Sequence, residues 1–184
     1  MSAREPLSYR VAEAVESRLR RHASPAMLRR AYRVGYLVLR PWWFVTRPHT
    51  MGVKVVVRCG EQVLVVRHTY ARRDQWDIPG GFLHPGEDPE PALRRELAEE
   101  LGVEPVGILP IAAVASRFDR KRERIFVYAA DVAGTEIHPS EAEIAEARWV
   151  DRGALPAPTM RFARRMIARA YWELWEDEEE RPAH

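Results

Sequence analysis

The chain has almost no cysteine and almost no lysine. Cys59 is the sole thiol among 184 residues, which excludes an intrachain disulfide and a cysteine-based zinc site. Of 29 basic residues only Lys54 and Lys121 are lysines. With the many alanines, that bias reads as genomic base composition rather than function. No stretch is apolar enough to span a bilayer: the most hydrophobic one, residues 34–45, is short and contains Arg40 and Pro41. Residues 1–20 carry charges throughout and lack the apolar centre of a secretory signal, so a cytoplasmic location is expected. The formal net charge is only +2, so charge balance alone does not announce a nucleic-acid partner. There are no internal repeats, and low complexity is confined to the acidic residues 173–180.

What is present suits one domain with a complete core and terminal additions. Residues 6–22 read as a polar helix and 25–39 as an amphipathic one, with Ser24 as N-cap and Pro25 at N1. Trp42, Trp43 and Phe44 follow Pro41 in an Arg-rich segment; a packed lid or a homodimer contact is the preferred reading, ahead of a membrane interface. Residues 1–48 are therefore expected to form an N-terminal helical extension. Residues 51–57 and 62–67 have strand composition and are joined by a turn at Cys59-Gly60. Residues 107–115 and 125–130 read as two further strands flanking a charged loop, 147–150 as a short strand, and 159–175 as a closing helix. Mixed strands with a central and a terminal helix imply an α/β sandwich. The expected boundaries are 1–48 for the extension, 49–178 for the catalytic-type domain and 179–184 for a short tail.

Residues 81–103 carry the chemistry. Glu96, Glu99 and Glu100 stand at i, i+3 and i+4, so a helix places three carboxylates on one face. That repulsion costs a few tenths of a kcal/mol in a bare helix, and a bound cation removes it. Oxygen ligands without His or Cys favour Mg²⁺, or Mn²⁺, over zinc. Asp88 suits an N-cap, Pro89 suits N1, and Gly102 is a natural C′ stop. Ala92, Leu93, Leu97 and Leu101 form an apolar stripe on another face, so this helix is expected to bury one side and present carboxylates on the other.

This segment resembles the Nudix box, G-x5-E-x7-R-E-U-x-E-E-x-G-U with U aliphatic. It matches at Gly81, Glu87, Arg95, Glu96, Leu97, Glu99, Glu100, Gly102 and Val103. The resemblance covers roughly residues 50–175 and implies the Nudix α/β/α sandwich with a mixed sheet. It also implies hydrolysis of a nucleoside diphosphate linked to another group, by metal-activated water. By the same resemblance Glu96, Glu99 and Glu100 are metal ligands, with Glu99 and Glu100 the firmer pair, and the main-chain carbonyl of Gly80 or Gly81 completes the coordination. Glu87 and Arg95 are implied to hold the loop against the helix. Family members place the general base in different loops; a glutamate six residues ahead of Trp149 points to Glu143, with Glu146 and Glu141 as competitors. Trp76, in the lead-in Gln75-Trp76-Asp77-Ile78-Pro79-Gly80-Gly81, is a candidate for base stacking, with packing at a strand end the alternative. Arg67 is a candidate phosphate or sugar contact, along with His68, Tyr70, Arg72 and Arg73. Arg117, Arg120, Lys121 and Arg122 form a second candidate anion loop. His68 reads better as a surface or hydrogen-bonded histidine than as a catalytic group.

Substrate is narrowed only by exclusion. The proline that ADP-ribose hydrolases tend to carry after the box is absent, as are the tyrosine of dinucleoside polyphosphate hydrolases and the array of the NADH type. A nucleoside triphosphate or a nucleotide-sugar-like diphosphate is the expectation. The alternatives are an RNA 5′-end pyrophosphohydrolase and a non-catalytic nucleotide-binding regulator.

Overall fold

The computed structural model describes residues 49–69, 74–84, 86–116 and 122–175, with isolated positions between 24 and 34. The expected helix at 6–22, the Trp42-Trp43-Phe44 cluster and the acidic tail beyond 175 lie outside the described residues. Of the expected second helix, Ala26, Met27, Arg30 and Val34 are helical, and the Ser24 hydroxyl accepts the Met27 amide hydrogen bond at 3.4 Å. Among the described residues no helix is long and apolar enough to cross a membrane.

Five strands form one sheet: β1 (His49–Cys59), β2 (Gln62–His68), β3 (Gly107–Ser116), β4 (Arg122–Asp131) and β5 (Ile144–Asp151). Their order is β3-β4-β1-β2-β5. β1 runs parallel to β4, and the other pairs are antiparallel, so the sheet is mixed. Helix α1 (Pro89–Leu101) covers one face, and helix α2 (Arg161–Ala170), extended by a π-helical turn Tyr171–Trp175, covers the other. Both faces of the central strands are thereby buried, which is why their valines run without alternation. Val53, Val55, Val57, Leu64 and Val66 pack with Leu93, Leu97 and Leu101 of α1. Val56, Val63, Val65, Val127 and Ala129 pack with Ala163, Met166, Ile167 and Ala170 of α2.

The strands extend the expected cores by one to three residues at several ends, and the β1–β2 turn sits at Gly60-Glu61, with Gly60 at φ +56° and Cys59 paired to Gln62. The last helix starts at Arg161 rather than 159 and widens after Ala170. α1 begins and ends where the sequence puts it. Asp88 has the extended N-cap backbone, though its side chain makes no capping bond. Gly102 adopts the left-handed conformation, φ +65°, its amide bonded to Ala98 and the next amide to Leu97.

One departure from a simple meander positions the site. β1 and β2 pair directly next to their turn, at Arg58 with Val63 and Cys59 with Gln62. Farther along they part, and residues 76–83 fill the gap. The Val53 and Val55 amides donate to the Gly81 and Pro79 carbonyls at 2.9 and 3.0 Å, and Leu83 donates back to Met51 at 3.0 Å. On the other side Asp77 exchanges both main-chain bonds with Val66, at 2.8 and 2.9 Å. The glycine-rich loop is thus stitched into the middle of the sheet, and its backbone polar groups are paired despite their depth.

Candidate active site

The site lies where α1 crosses this inserted segment. Gly80 has φ +143°, and a Cβ there would fall 2.1 Å from the Val53 carbonyl oxygen, so only glycine lets the loop lie this close to β1. At Gly81 a Cβ would fall 2.3 Å from the Glu96 carboxyl carbon. The missing side chain at Gly81 is therefore the seat of the Glu96 carboxylate. Two positions fifteen residues apart in the box are linked by that contact.

Arg95 ties the loop to the helix. Its guanidinium donates to both Glu87 carboxylate oxygens at 3.0 Å, to the Phe82 carbonyl at 3.1 Å and to Glu96 at 2.8 Å, with Glu99 4.0 Å away. Glu87 also accepts the His84 amide at 2.8 Å. The forked bond from Arg95 holds the Glu87 carboxyl below the usual range.

The three box glutamates occupy different environments. Glu99 is solvent-facing, with 41% of its side chain exposed, and Glu96 is half-buried. Glu100 is only 2% exposed, which corrects the expectation that all three carboxylates face outward: the C-terminal end of α1 tucks it beneath the Gly80 loop. Burial pushes its carboxyl up to about 8, helped by the negative charges of Glu96 and Glu143 and opposed by Lys54 and by the Gly80 amide, which donates to it. Its Oε2 is buried with no hydrogen-bond partner. An orphaned, buried carboxylate oxygen beside a second carboxylate is a poor end state for a protein and a good ligand set for a hard divalent cation. Among the described residues no three acidic, His or Cys groups stand together as a metal cage, and Glu96 accepts a bond from Arg95.

The segment before β5 meets this cluster. Thr69 bonds to the Glu143 carbonyl at 2.8 Å, Ser140 to the Glu100 carbonyl at 2.7 Å, and Glu143 is near enough to raise Glu100. Glu146 is engaged elsewhere: both Arg67 and Arg148 bond its carboxylate. Burial would raise Glu146, but those two hydrogen bonds outweigh it and hold the carboxyl below its ordinary range. Of the candidate glutamates, Glu143 acts on Glu100, whereas Glu146 is bonded by two arginines.

Two candidate substrate contacts have other partners. Trp76 is 4% exposed, packed in the α2-side core, with the Arg67 and Arg148 guanidinium groups 5.1 and 5.0 Å from its ring centroid. A ring so covered offers little face to a base; packing at a strand end describes it. Arg67 is committed to Asp74 and Glu146. Tyr70, Arg72, Arg73 and the loop 117–121 lie outside the described residues, as does the Arg122 side chain. Lys54, beside the site, was not singled out from sequence for it. Lys54 bonds Asp77 at 2.7 Å and the Ile78 carbonyl at 3.0 Å. His68, its side chain 8% exposed, lies 3.9 Å from Glu100; burial and then the Lys54 charge push it down to about 4, against Asp77. The signal for Lys54 was there to be read: it is the single charge within residues 52–57 and one of two lysines in the chain.

The family model for the NUDIX domain matches residues 48–170. The chain belongs to the Nudix family. Two similar curated proteins are both NAD-capped RNA hydrolases NudC. That of Chromobacterium violaceum is 31% identical over 121 residues, covering 65% of this chain and 45% of the relative. That of Stutzerimonas stutzeri is 34% identical over 122 residues, covering 66% and 42%. The chain thus spans less than half the length of these relatives. Among solved structures, a MutT NUDIX hydrolase from Burkholderia pseudomallei aligns with TM-score 0.60 at 21% identity, covering 66% of this chain and 98% of that one. The NUDIX domain of Shewanella oneidensis NrtR, solved with ADP ribose, aligns with TM-score 0.61 at 21% identity, covering 73% and 97%. At such identity these two bear on the fold, and the mixed sheet between two helices is the Nudix fold. Nudix hydrolases generally use a divalent metal.

Proposed function

We propose that the chain is a divalent-metal pyrophosphohydrolase acting on a nucleoside diphosphate linked to another moiety, with Mg²⁺ as the working ion and Mn²⁺ as its substitute. The observation that carries this is the buried, unpartnered Glu100 Oε2 set beside Glu96 and the Gly80 loop in an intact Nudix box. Glu96, Glu99, Glu100 and the Gly80 carbonyl would hold the cation. Once bound, it supplies charge neutralisation at the phosphate oxygens and a lowered pKa for water. Glu143, close enough to the cluster for its charge to raise Glu100, takes the proton of the attacking water. Arg95 and Glu87 keep the loop and helix at fixed separation while this occurs. A retained set of box glutamates argues against a non-catalytic regulator. The Trp42-Trp43-Phe44 segment, outside the described residues, keeps both of its sequence readings beside this one, a packed lid or a homodimer contact.

A small nucleotide-type substrate, such as a nucleoside triphosphate or nucleotide sugar, is the first choice. A second reading, hydrolysis at an RNA 5′ end, is favoured by the relatives named for NAD-capped RNA and by the exposed Arg161, Arg164 and Arg165 of α2. It requires affinity that falls steeply with salt.

The test is turnover with Mg²⁺ against nucleoside triphosphates, nucleotide sugars, dinucleotides and capped or triphosphorylated RNA, beside Glu99→Gln and Glu100→Gln. Loss of more than about 100-fold in both variants is expected, since even outer-shell substitutions at metal sites cost 10–100-fold. No turnover on any substrate, or turnover indifferent to both changes, defeats the proposal. Oxygen-labelled water identifies the phosphorus attacked.

A further inference from the structure

Lys54 stands in the middle of β1 among Val53, Val55, Val56 and Val57, each at most 1% exposed. Its own side chain is 19% exposed. Pairing with Asp77 offsets the desolvation of both charges, but an apolar pair of similar volume generally serves stability as well or better. Stability alone therefore gives no reason for an ion pair here. Its geometry does.

The ammonium donates to the Asp77 carboxylate at 2.7 Å and to the Ile78 carbonyl at 3.0 Å, while the other Asp77 oxygen accepts the Ile78 amide at 2.9 Å. Both main-chain polar groups of Ile78 are thus gripped by one ion pair, two residues ahead of Gly80. Immediately beyond, the Pro79 and Gly81 carbonyls are tied to Val55 and Val53. The alternate residue between them, Gly80, sends its amide the other way, to Glu100. Whatever sets the Ile78 backbone sets the height at which Gly80 meets the carboxylates.

We propose that Lys54 is a positioning residue for the cation site: with Asp77 it fixes the backbone ahead of Gly80, so that the Gly80 peptide and Glu100 meet a divalent ion in register. This rests on the assignment of Glu96, Glu99, Glu100 and Gly80 to that ion. It also makes a prediction opposite to simple electrostatics. A nearby positive charge repels a dication, so if Lys54 acted through charge alone, removing it would tighten metal binding. As a positioning residue, its removal weakens binding.

The experiment is Mn²⁺ titration of the full chain, followed by the electron-paramagnetic signal of free Mn²⁺, with steady-state kinetics alongside. Lys54→Met/Asp77→Asn removes both charges together and leaves neither buried alone. It is expected to fold as judged by circular dichroism, to bind Mn²⁺ about 10–100-fold more weakly, and to lose kcat with little change in KM for the nucleotide at saturating metal. Lys54→Arg, which keeps both donors, recovers most of the affinity, and Arg152→Met, a cation removed over Tyr171, leaves it at the wild-type value. A folded double variant that binds Mn²⁺ as tightly as wild type, or more tightly, overturns the proposal. Should the double variant not fold, Lys54→Met alone decides by the same sign: weaker binding supports positioning, equal or tighter binding overturns it. A wild-type chain that binds no Mn²⁺ overturns the hydrolase assignment beneath, and this inference with it.

Discussion

Helix α1 buries Leu93, Leu97 and Leu101 against one face of the sheet, and α2 buries Met166, Ile167 and Ala170 against the other. Their apolar stripes do the same work; their charges do not. α2 keeps Arg161, Arg164 and Arg165 in solvent and pairs Arg169 with Glu173 one turn on, at 2.8 Å. α1 carries acids on successive turns, commits Arg95 to the loop, and takes Glu100 inside. One face of the sheet is arranged as ordinary packing requires. The other accepts mutual repulsion, a buried carboxylate and an orphaned oxygen, features that are unfavourable until something cationic arrives. A buried carboxylate oxygen with no partner, raised by neighbouring acids, marks where the chemistry belongs.

The largest effect that would break this comparison is catalytic. Glu143→Gln is expected to lower kcat by about 10²–10⁴, the range for removing a general base, while Glu146→Gln, whose carboxylate is held by Arg67 and Arg148, falls far less. Equal losses would count against Glu143 as the base. Next comes packing on the other face: Met166→Ala should destabilise by about 2–5 kcal/mol, as truncated core side chains do, without altering kcat in the folded fraction, measured by urea unfolding and active-site titration.

A third prediction sharpens the contrast through pH. Glu100 is raised from 4.5 to about 8 in the metal-free fold, so the folded state holds a proton there that the unfolded chain has released. The stability this contributes is complete below pH 4.5 and is lost as pH rises through about 8. His68, lowered to about 4, acts in the opposite sense: its contribution is complete above 6.5 and falls as pH drops toward 4. Melting in chelator from pH 5 to 9 should therefore show Glu100→Gln gaining on wild type as pH rises, and Mg²⁺ should reverse the order. A constant difference across that range would count against a strained Glu100. The smallest effect belongs to α2. Arg164→Gln with Arg165→Gln should leave stability within about 0.5 kcal/mol and small-nucleotide turnover unchanged. A shallower salt dependence of RNA binding in that variant would favour the RNA reading.

Features with local causes were legible in the sequence. Gly102 ends α1 because glycine takes the left-handed conformation, Gly60 turns β1 into β2, and the strands announce themselves by runs of valine. The box spacing brought Glu96, Glu99 and Glu100 onto one side of one helix, as i, i+3, i+4 geometry demands. What spacing could not convey was depth. Whether a carboxylate on that side meets water depends on what lies across from it, and for Glu100 that is a loop twenty residues earlier, threaded between β1 and β2. The Lys54 grip on Asp77, the Glu96 seat at Gly81 and the arginine cover over Trp76 share this origin: each joins residues whose proximity is decided by the whole sheet.

The insertion of residues 76–83 between two strands also bears on how the protein breathes. A surface loop can swing away and leave its scaffold intact, but this one supplies hydrogen-bond acceptors to Val53 and Val55 and to Val66 across from them. Lifting it would unzip the sheet at its centre. Its opening is thus tied to the cooperative unit of the core, and the Leu83 amide should exchange with deuterium about as slowly as those of Val53 and Val55. A substrate would meet a floor already laid, and any segment that moves to admit it belongs to the rim.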